Sequence, residues 1–165
     1  MTASVRHARD EDVYALTNIY NHYVLASPAT FDLEPRTVVE RSEWLTQFSL
    51  NGHHQLLVAV DDNSVIGYAC STRFRTKAAY DTSVETSIYV HPDAVAQGLG
   101  KVLYGALFEA IGGVGVHRAF AGITLPNSES VALHERLGFK AIGAFHEVGY
   151  KFDRYWDVAW YEKSL

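Results

Sequence analysis

The stretch Ser87-Ile88-Tyr89-Val90-His91-Pro92-Asp93-Ala94-Val95-Ala96-Gln97-Gly98-Leu99-Gly100-Lys101 decides the fold. Its first four residues read as the end of a strand. Beyond it, Val102, Leu103, Ala106, Leu107 and Ala110 recur at helical spacing. Between the two lies a bend containing Pro92, then Gly98 and Gly100 at the helix start. Glycine there costs roughly 0.5 to 1 kcal/mol relative to alanine, so two in one turn suggest that a ligand comes close to the backbone. The free N–H groups and positive dipole end of the helix invite an anion, most simply a pyrophosphate. Taken alone, the same residues also read as an ordinary glycine-rich helix start.

Two common phosphate motifs fail on fixed offsets. A dinucleotide GxGxxG beginning at Gly98 needs glycine at Leu103 and must open directly from the strand. A P-loop ending in Gly100-Lys101 needs glycine at Val95 and Ser or Thr at Val102. What remains, a strand, a bend with proline and a Gly-x-Gly helix start, resembles the acetyl-coenzyme A motif of the GNAT superfamily of N-acetyltransferases. That motif usually reads Gln/Arg-x-x-Gly-x-Gly/Ala, and Val95 departs from it at the Gln/Arg position.

Length and composition frame the reading. A chain of 165 residues, 48% hydrophobic, suits one domain (residues 1–165) with a full core. A formal net charge of -5 and a pI near 5.9, with Lys and Arg scattered, argue against nucleic acid as the partner. No apolar run approaches the roughly 20 residues that span a bilayer, so no membrane partner and a cytoplasmic location are expected. The single cysteine, Cys70, lies in an apolar run and reads as a buried thiol. No histidine has metal-ligand spacing with acidic or cysteine partners, so no metal is expected.

The elements follow in order. A strand at Ser4 to His7 precedes a helix signalled by Asp10-Glu11-Asp12 and built on Val13, Leu16, Ile19, Tyr20 and Tyr23. Thr37 with Glu40 forms a capping box for a second helix, whose apolar face is Trp44, Leu45 and Phe48. Gln55 to Val60 and Ser64 to Arg73 flank Asp61-Asp62-Asn63 as a hairpin, continued by Val84 to Val90. The third helix runs to about Ile111, Arg118 to Ile123 reads as a buried strand, and Ser128 to Leu137 as a helix stopped by Gly138. Two aromatic-rich strands around Phe152-Asp153-Arg154 complete an α/β domain in which a sheet is layered with about four helices.

A second constellation begins where the Arg118 strand ends in Pro126-Asn127. Asn127 is a good helix N-cap. The segment from Asn127 through Ser130 and His134 to Gly138-Phe139 also resembles the family's Asn-x-x-Ser-x-x-x-Tyr-x-x-x-Gly-Phe pattern, with His134 in place of tyrosine. That replacement is similar to the phosphinothricin and methionine-sulfoximine acetyltransferase branch. Further segments agree with the branch, among them Ile19-Tyr20-Asn21-His22-Tyr23, Thr30-Phe31 and Gly149-Tyr150-Lys151-Phe152, so the resemblance covers the whole chain.

The resemblance implies a mixed, mostly antiparallel sheet that splays between its two cofactor-binding strands. It implies acetyl-CoA as cosubstrate, held by Ile88, Tyr89 and Val90, by Val95 through Lys101 (with Ala96, Gln97, Gly98, Leu99 and Gly100) and by Asn127 and Ser130. Transfer to an amine needs a base, and Glu85 is the candidate, alternating onto the face of Ser87 and Tyr89; a carboxylate that merely holds the ammonium is the other reading. His134 would protonate or hydrogen-bond the departing sulfur, or simply pack, and Tyr104 is a further thiol-side candidate. The segment Phe74-Arg75-Thr76-Lys77 supplies cations for a carboxylate or phosphinate, Arg75 by resemblance to the branch, or else is a solvated hairpin tip. Phe31 would add an apolar wall, and Tyr80, Lys151 and Tyr155 would complete the pocket.

The implied reaction is direct acetyl transfer to the α-amine of phosphinothricin, methionine sulfoximine or methionine sulfone, by a homodimer. A polyamine or protein N-terminus acetyltransferase, and a non-catalytic acyl-CoA sensor, are the alternatives.

Overall fold

In a computed structural model of the chain, residues 3–95 and 98–165 are described. The strands are β1 (Ser4–His7), β2 (Leu56–Asp61), β3 (Ser64–Arg73), β4 (Ser83–Val90), β5 (Arg118–Leu125), β6 (Lys140–Lys151) and β7 (Arg154–Ser164). The helices are α1 (Val13–Ala26), α2 (Val38–Leu45), α3 (Leu99–Gly112) and α4 (Ser128–Arg136). Among the described residues the strands form one seven-stranded sheet in the order β1-β2-β3-β4-β5-β7-β6. Neighbours are antiparallel except β4 and β5, which run parallel. The expected single α/β domain with a mixed, mostly antiparallel sheet is the observed one.

Local chemistry explains the punctuation. The β2–β3 hairpin turns at Asp62 and Asn63, whose φ of 46° and 65° lie in the left-handed region that Asp and Asn tolerate better than other side chains. At α2, Thr37 Oγ1 accepts from the Glu40 amide at 3.2 Å while the Glu40 carboxylate accepts from the Thr37 amide at 2.7 Å. The acidic signal before α1 takes a different form from the one expected. Asp10–Asp12 make a 3₁₀ turn, and the buried Asp12 carboxylate accepts from Arg6 at 2.7 and 2.9 Å rather than capping the helix.

Period-2 alternation assigns the two faces of the sheet. Leu57, Ala59, Ala69 and Val84 pack with Leu103, Leu107 and Ile111 of α3, which are fully buried at i, i+4 and i+8. On the opposite face Leu56, Val58, Tyr68 and Cys70 meet Leu16 and Ile19 of α1, with Trp44, Leu45 and Phe48 covering the edge. The Cys70 thiol is buried there as expected, and desolvation pushes its pKa up to about 12.

The sheet parts at its centre. β4 and β5 pair only at Ser83↔Arg118, Val84↔Ala119 and Glu85↔Phe120. Beyond that point β4 stays with β3 as far as Val90↔Gly67, and β5 stays with β7 as far as Leu125↔Asp157. The facing edges of Thr86–Val90 and Ala121–Leu125 therefore have no strand between them, which leaves backbone donors and acceptors for an extended ligand.

Candidate active site

A cleft of about 640 Å³ opens where β4 and β5 diverge. Its strand walls are residues 86–90 and 121–124, and the first residues of α3 and α4 close its far side. Gly98 has φ +77°, a conformation that L side chains rarely adopt, and a Cβ there would meet nothing within 4 Å. Gly100 has another reason to lack a side chain, since its Cβ would lie 2.7 Å from Leu133 Cδ2. Packing of α3 on α4 thus accounts for that glycine, although its backbone still lines the cleft. Val95 and Leu99 line the cleft too, Lys101 is exposed and does not, and Ala96 and Gln97 lie outside the described residues.

Asn127 caps α4, its Oδ1 accepting from the Ser130 amide at 3.1 Å, and both residues line the cleft. Behind them His134 is buried. Its Nδ1 lies 2.7 Å from the Ser130 carbonyl oxygen and so carries the proton, which makes Nε2, 3.2 Å from the Tyr104 hydroxyl, an acceptor. Burial lowers the His134 pKa, against the opposing Ser130 hydrogen bond. The neutral ring therefore has no proton to give from Nε2, and Tyr104 is the donor of the pair. Burial raises the Tyr104 pKa, opposed by a hydrogen bond with Thr86.

A second cavity, of about 520 Å³, lies on the other face of the sheet, under α1 and α2. Ser87 and Tyr89 belong to both cavities. The parted strands thus join two chambers, one presenting helix N-termini and open strand edges and the other walled by tyrosines and charged groups. Glu85 sits on the second chamber's side of β4, opposite Thr72. Its carboxylate has no hydrogen-bond partner among the described residues; burial raises its pKa, and the Arg75 charge opposes the shift.

The remaining expected site residues are scattered. Arg75 is exposed, stacks over Phe74 at 4.8 Å and reaches Glu85 by its charge, while Phe74 stacks on Phe120 at 4.3 Å. Phe31 packs over Gly149, and Phe31, Phe74, Arg75, Thr76, Lys77 and Tyr80 line neither cavity. Lys151 does not complete a pocket. It is buried with its ammonium donating to the carbonyls of Ser27 at 2.9 Å and Thr30 at 2.8 Å. Tyr155 is exposed against Tyr150.

The structure adds residues that sequence reasoning passed over. The Tyr23 hydroxyl donates to the Val90 carbonyl at 2.6 Å and fixes the end of β4. Arg41 is buried beneath the second cavity, and a signal for it existed: Arg41, Trp44, Leu45 and Phe48 share one helical spacing, so the charge falls on a core face. Among the described residues no group of three or more His, Cys, Asp or Glu is placed to hold a metal ion, and no helix is long and apolar enough to cross a membrane.

A sheet parted between parallel strands, with a glycine-opened helix aimed into the gap, defines an acyltransferase that takes its acyl group from a coenzyme A thioester. The profile of the GNAT acetyltransferase domain matches residues 5–160, and the chain belongs to that family. It is similar to a phosphinothricin N-acetyltransferase of Streptomyces coelicolor, 50% identical over 163 residues that cover 98% of this chain and 95% of the relative. A methionine sulfoximine/methionine sulfone acetyltransferase of Pseudomonas aeruginosa is 33% identical over 165 residues, covering 100% and 96%. A phosphinothricin acetyltransferase from Sinorhizobium meliloti, solved in complex with acetyl-CoA, superposes with a TM-score of 0.95 at 34% identity and covers 100% of this chain and 89% of its own. The protein is an acetyl-CoA-dependent N-acetyltransferase, and the open glycine start of α3 with the unpaired strand edges fits that cosubstrate.

Proposed function

We propose that the chain acetylates the α-amine of a small amino acid of the phosphinothricin and methionine sulfone type, by direct transfer. One observation carries the reading: the two chambers meet at Ser87 and Tyr89, and Glu85 follows on the same strand face, paired with the Thr72 that lines the second chamber. Acetyl-CoA supplies the activated thioester. The N–H groups at the start of α3, opened by Gly98, hold its pyrophosphate. The unpaired edge of Thr86–Val90 binds the pantetheine arm as an added strand, and an N–H there polarises the thioester carbonyl; losing one such donor typically costs about 3 to 4 kcal/mol.

From the other chamber Glu85 accepts a proton from the ammonium, so that the neutral amine attacks. Arg75, close enough to act on Glu85, holds the α-carboxylate beside that amine. To serve the departing sulfur, the Tyr104 hydroxyl turns its single proton from His134 Nε2 to the sulfur. Cys70 has no part as a nucleophile, because its buried thiol stays protonated. Its reduced state also suits the cytoplasm.

We propose also that the chain assembles as a homodimer. Ile142, Phe145, Val148 and Tyr155 are each more than half exposed on the β6–β7 hairpin, an apolar face suited to a second copy. Light scattering on the purified protein at micromolar concentration tests it, and a monomer would refute it.

The functional test is a coenzyme A release assay across amino acids, polyamines and peptide N-termini. Turnover confined to amino acids supports the reading, and preference for a polyamine or peptide refutes it. Tight acetyl-CoA binding with no turnover on any amine would instead favour the sensor.

A further inference from the structure

Arg41 has the features of a binding group rather than of a structural ion pair. It is 5% exposed on α2, and its guanidinium lies 3.6 Å from the Trp44 ring centroid and 4.6 Å from that of Tyr20. Of its five N–H donors, one is used among the described residues, from Nη2 to the Tyr68 hydroxyl at 3.2 Å. Nε is buried with no hydrogen-bond partner among the described residues. The Arg41 charge acts on Asp32, but the carboxylates nearby hydrogen-bond to other groups. Asp32 accepts from the Tyr20 hydroxyl at 2.6 Å and from Arg36 at 2.9 and 2.7 Å, while Glu40 closes the α2 capping box. Glu43 is an exposed residue at the rim. A buried guanidinium with an unpartnered Nε is costly unless an anion completes it.

The cavity above Arg41 is the acceptor chamber, and its dimensions say which end of an acceptor arrives there. The chambers meet at Ser87 and Tyr89, which pair with Cys70 and Tyr68. Those two rungs are about 7 Å apart along the strand, at ~3.3 Å per residue. Glu85 lies beyond Ser87 on the rung of the chamber-lining Thr72, about 13 Å along the strand from the Tyr68 rung that Arg41 touches, so Glu85 and Arg41 mark opposite ends of the chamber. An α-amine on the Ser87 side therefore directs the acceptor's side chain toward Arg41.

We infer that Arg41 receives the far end of the acceptor's side chain and makes this site prefer an anionic phosphinate there over a neutral sulfone or sulfoximine. This rests on the amino-acid reading above and divides the two acceptor types that the reading leaves together. Phosphinothricin and methionine sulfone are close in shape and differ in the charge of that group, so the pair isolates the effect of Arg41.

The test is kcat/KM for both acceptors in the wild-type protein, in Arg41→Gln and in Arg41→Lys, with the melting temperature of each. A charge-assisted contact is worth about 10- to 100-fold. The expected wild-type ratio therefore favours phosphinothricin by at least about tenfold. It falls to within about threefold of unity in Arg41→Gln and stays intermediate in Arg41→Lys, which keeps the charge without the fork.

An unchanged ratio in Arg41→Gln, with both acceptors impaired alike, means an aromatic-stacked structural arginine and overturns the inference. Should Arg41→Gln fail to fold, the wild-type ratio decides: near unity overturns the inference, and a marked phosphinothricin preference supports it. Amino acids acetylated without discrimination sink this inference alone. Failure of every amino acid while another amine is acetylated sinks the amino-acid reading as well.

Discussion

Replacing Glu85 by glutamine removes the group assigned to take the ammonium proton while keeping its shape. The carboxylate has no hydrogen-bond partner among the described residues, and its neighbours are the Thr72 position across the ladder and the Arg75 charge. The substitution therefore breaks no contact that holds the fold. Burial raises the Glu85 pKa, so ionising it costs the folded state stability as pH rises through that value, and Glu85→Gln should keep or slightly raise the melting temperature at neutral pH. Activity behaves differently. A positioned base contributes about 10²- to 10⁴-fold, so kcat/KM should fall by that order near pH 7.

The sign with pH is fixed as well. The base works only when ionised, so wild-type kcat/KM should fall as pH drops through a value above the ordinary carboxylate 4.5. In the variant that limb should vanish, and the rate should approach wild type at alkaline pH, where the acceptor arrives already neutral. The assay is thiol-reagent detection of released coenzyme A from pH 5 to about 10, bracketing carboxylate and amine titrations. An unchanged rate with the same acid limb would refute the assignment of the base.

Tyr104→Phe should lower kcat by about 10- to 100-fold with little change in the KM for acetyl-CoA. It should also lower stability by about 1 to 3 kcal/mol, because the buried His134 Nε2 loses its donor; denaturant titration and steady-state kinetics read the two effects. Gly98→Ala should cost about 1 to 2 kcal/mol from its left-handed φ and raise the KM for acetyl-CoA, since the added methyl meets only open space at the cleft. Cys70 in the native protein should resist alkylation at pH 8 and react fully after unfolding, because its thiol is buried with a pKa of about 12; mass spectrometry after alkylation of the native protein counts the label.

Much of the architecture was legible because it depends on local rules. The two strand runs flanking the Asp-Asn turn and the Thr37–Glu40 box each follow from a few adjacent residues, and all stand in the structure. The start of α1 was less legible, since Asp12 is recruited by Arg6 of β1 rather than by the helix. At the site, Gly98 carried its own signal through the backbone shape that it permits. Gly100 looked the same in sequence but answers to Leu133 on another helix, a packing relation that no spacing encodes.

Glu85 and Tyr89 could be placed on one face by alternation. That this face opens on a chamber under α1 and α2, and that Arg41 lines it, depends on helix placement over the sheet. Lys151 shows the converse, a cation offered to the ligand by sequence and spent on the backbone carbonyls of Ser27 and Thr30 by the fold.

The account's central claim is that acetyl-CoA and the amine enter from opposite faces of the sheet and react directly where the chambers meet. Initial velocities measured over a grid of acetyl-CoA and phosphinothricin concentrations test this most directly. Intersecting double-reciprocal lines, the mark of a complex holding both substrates at once, are expected; parallel lines, the mark of an acetylated enzyme intermediate, would contradict it.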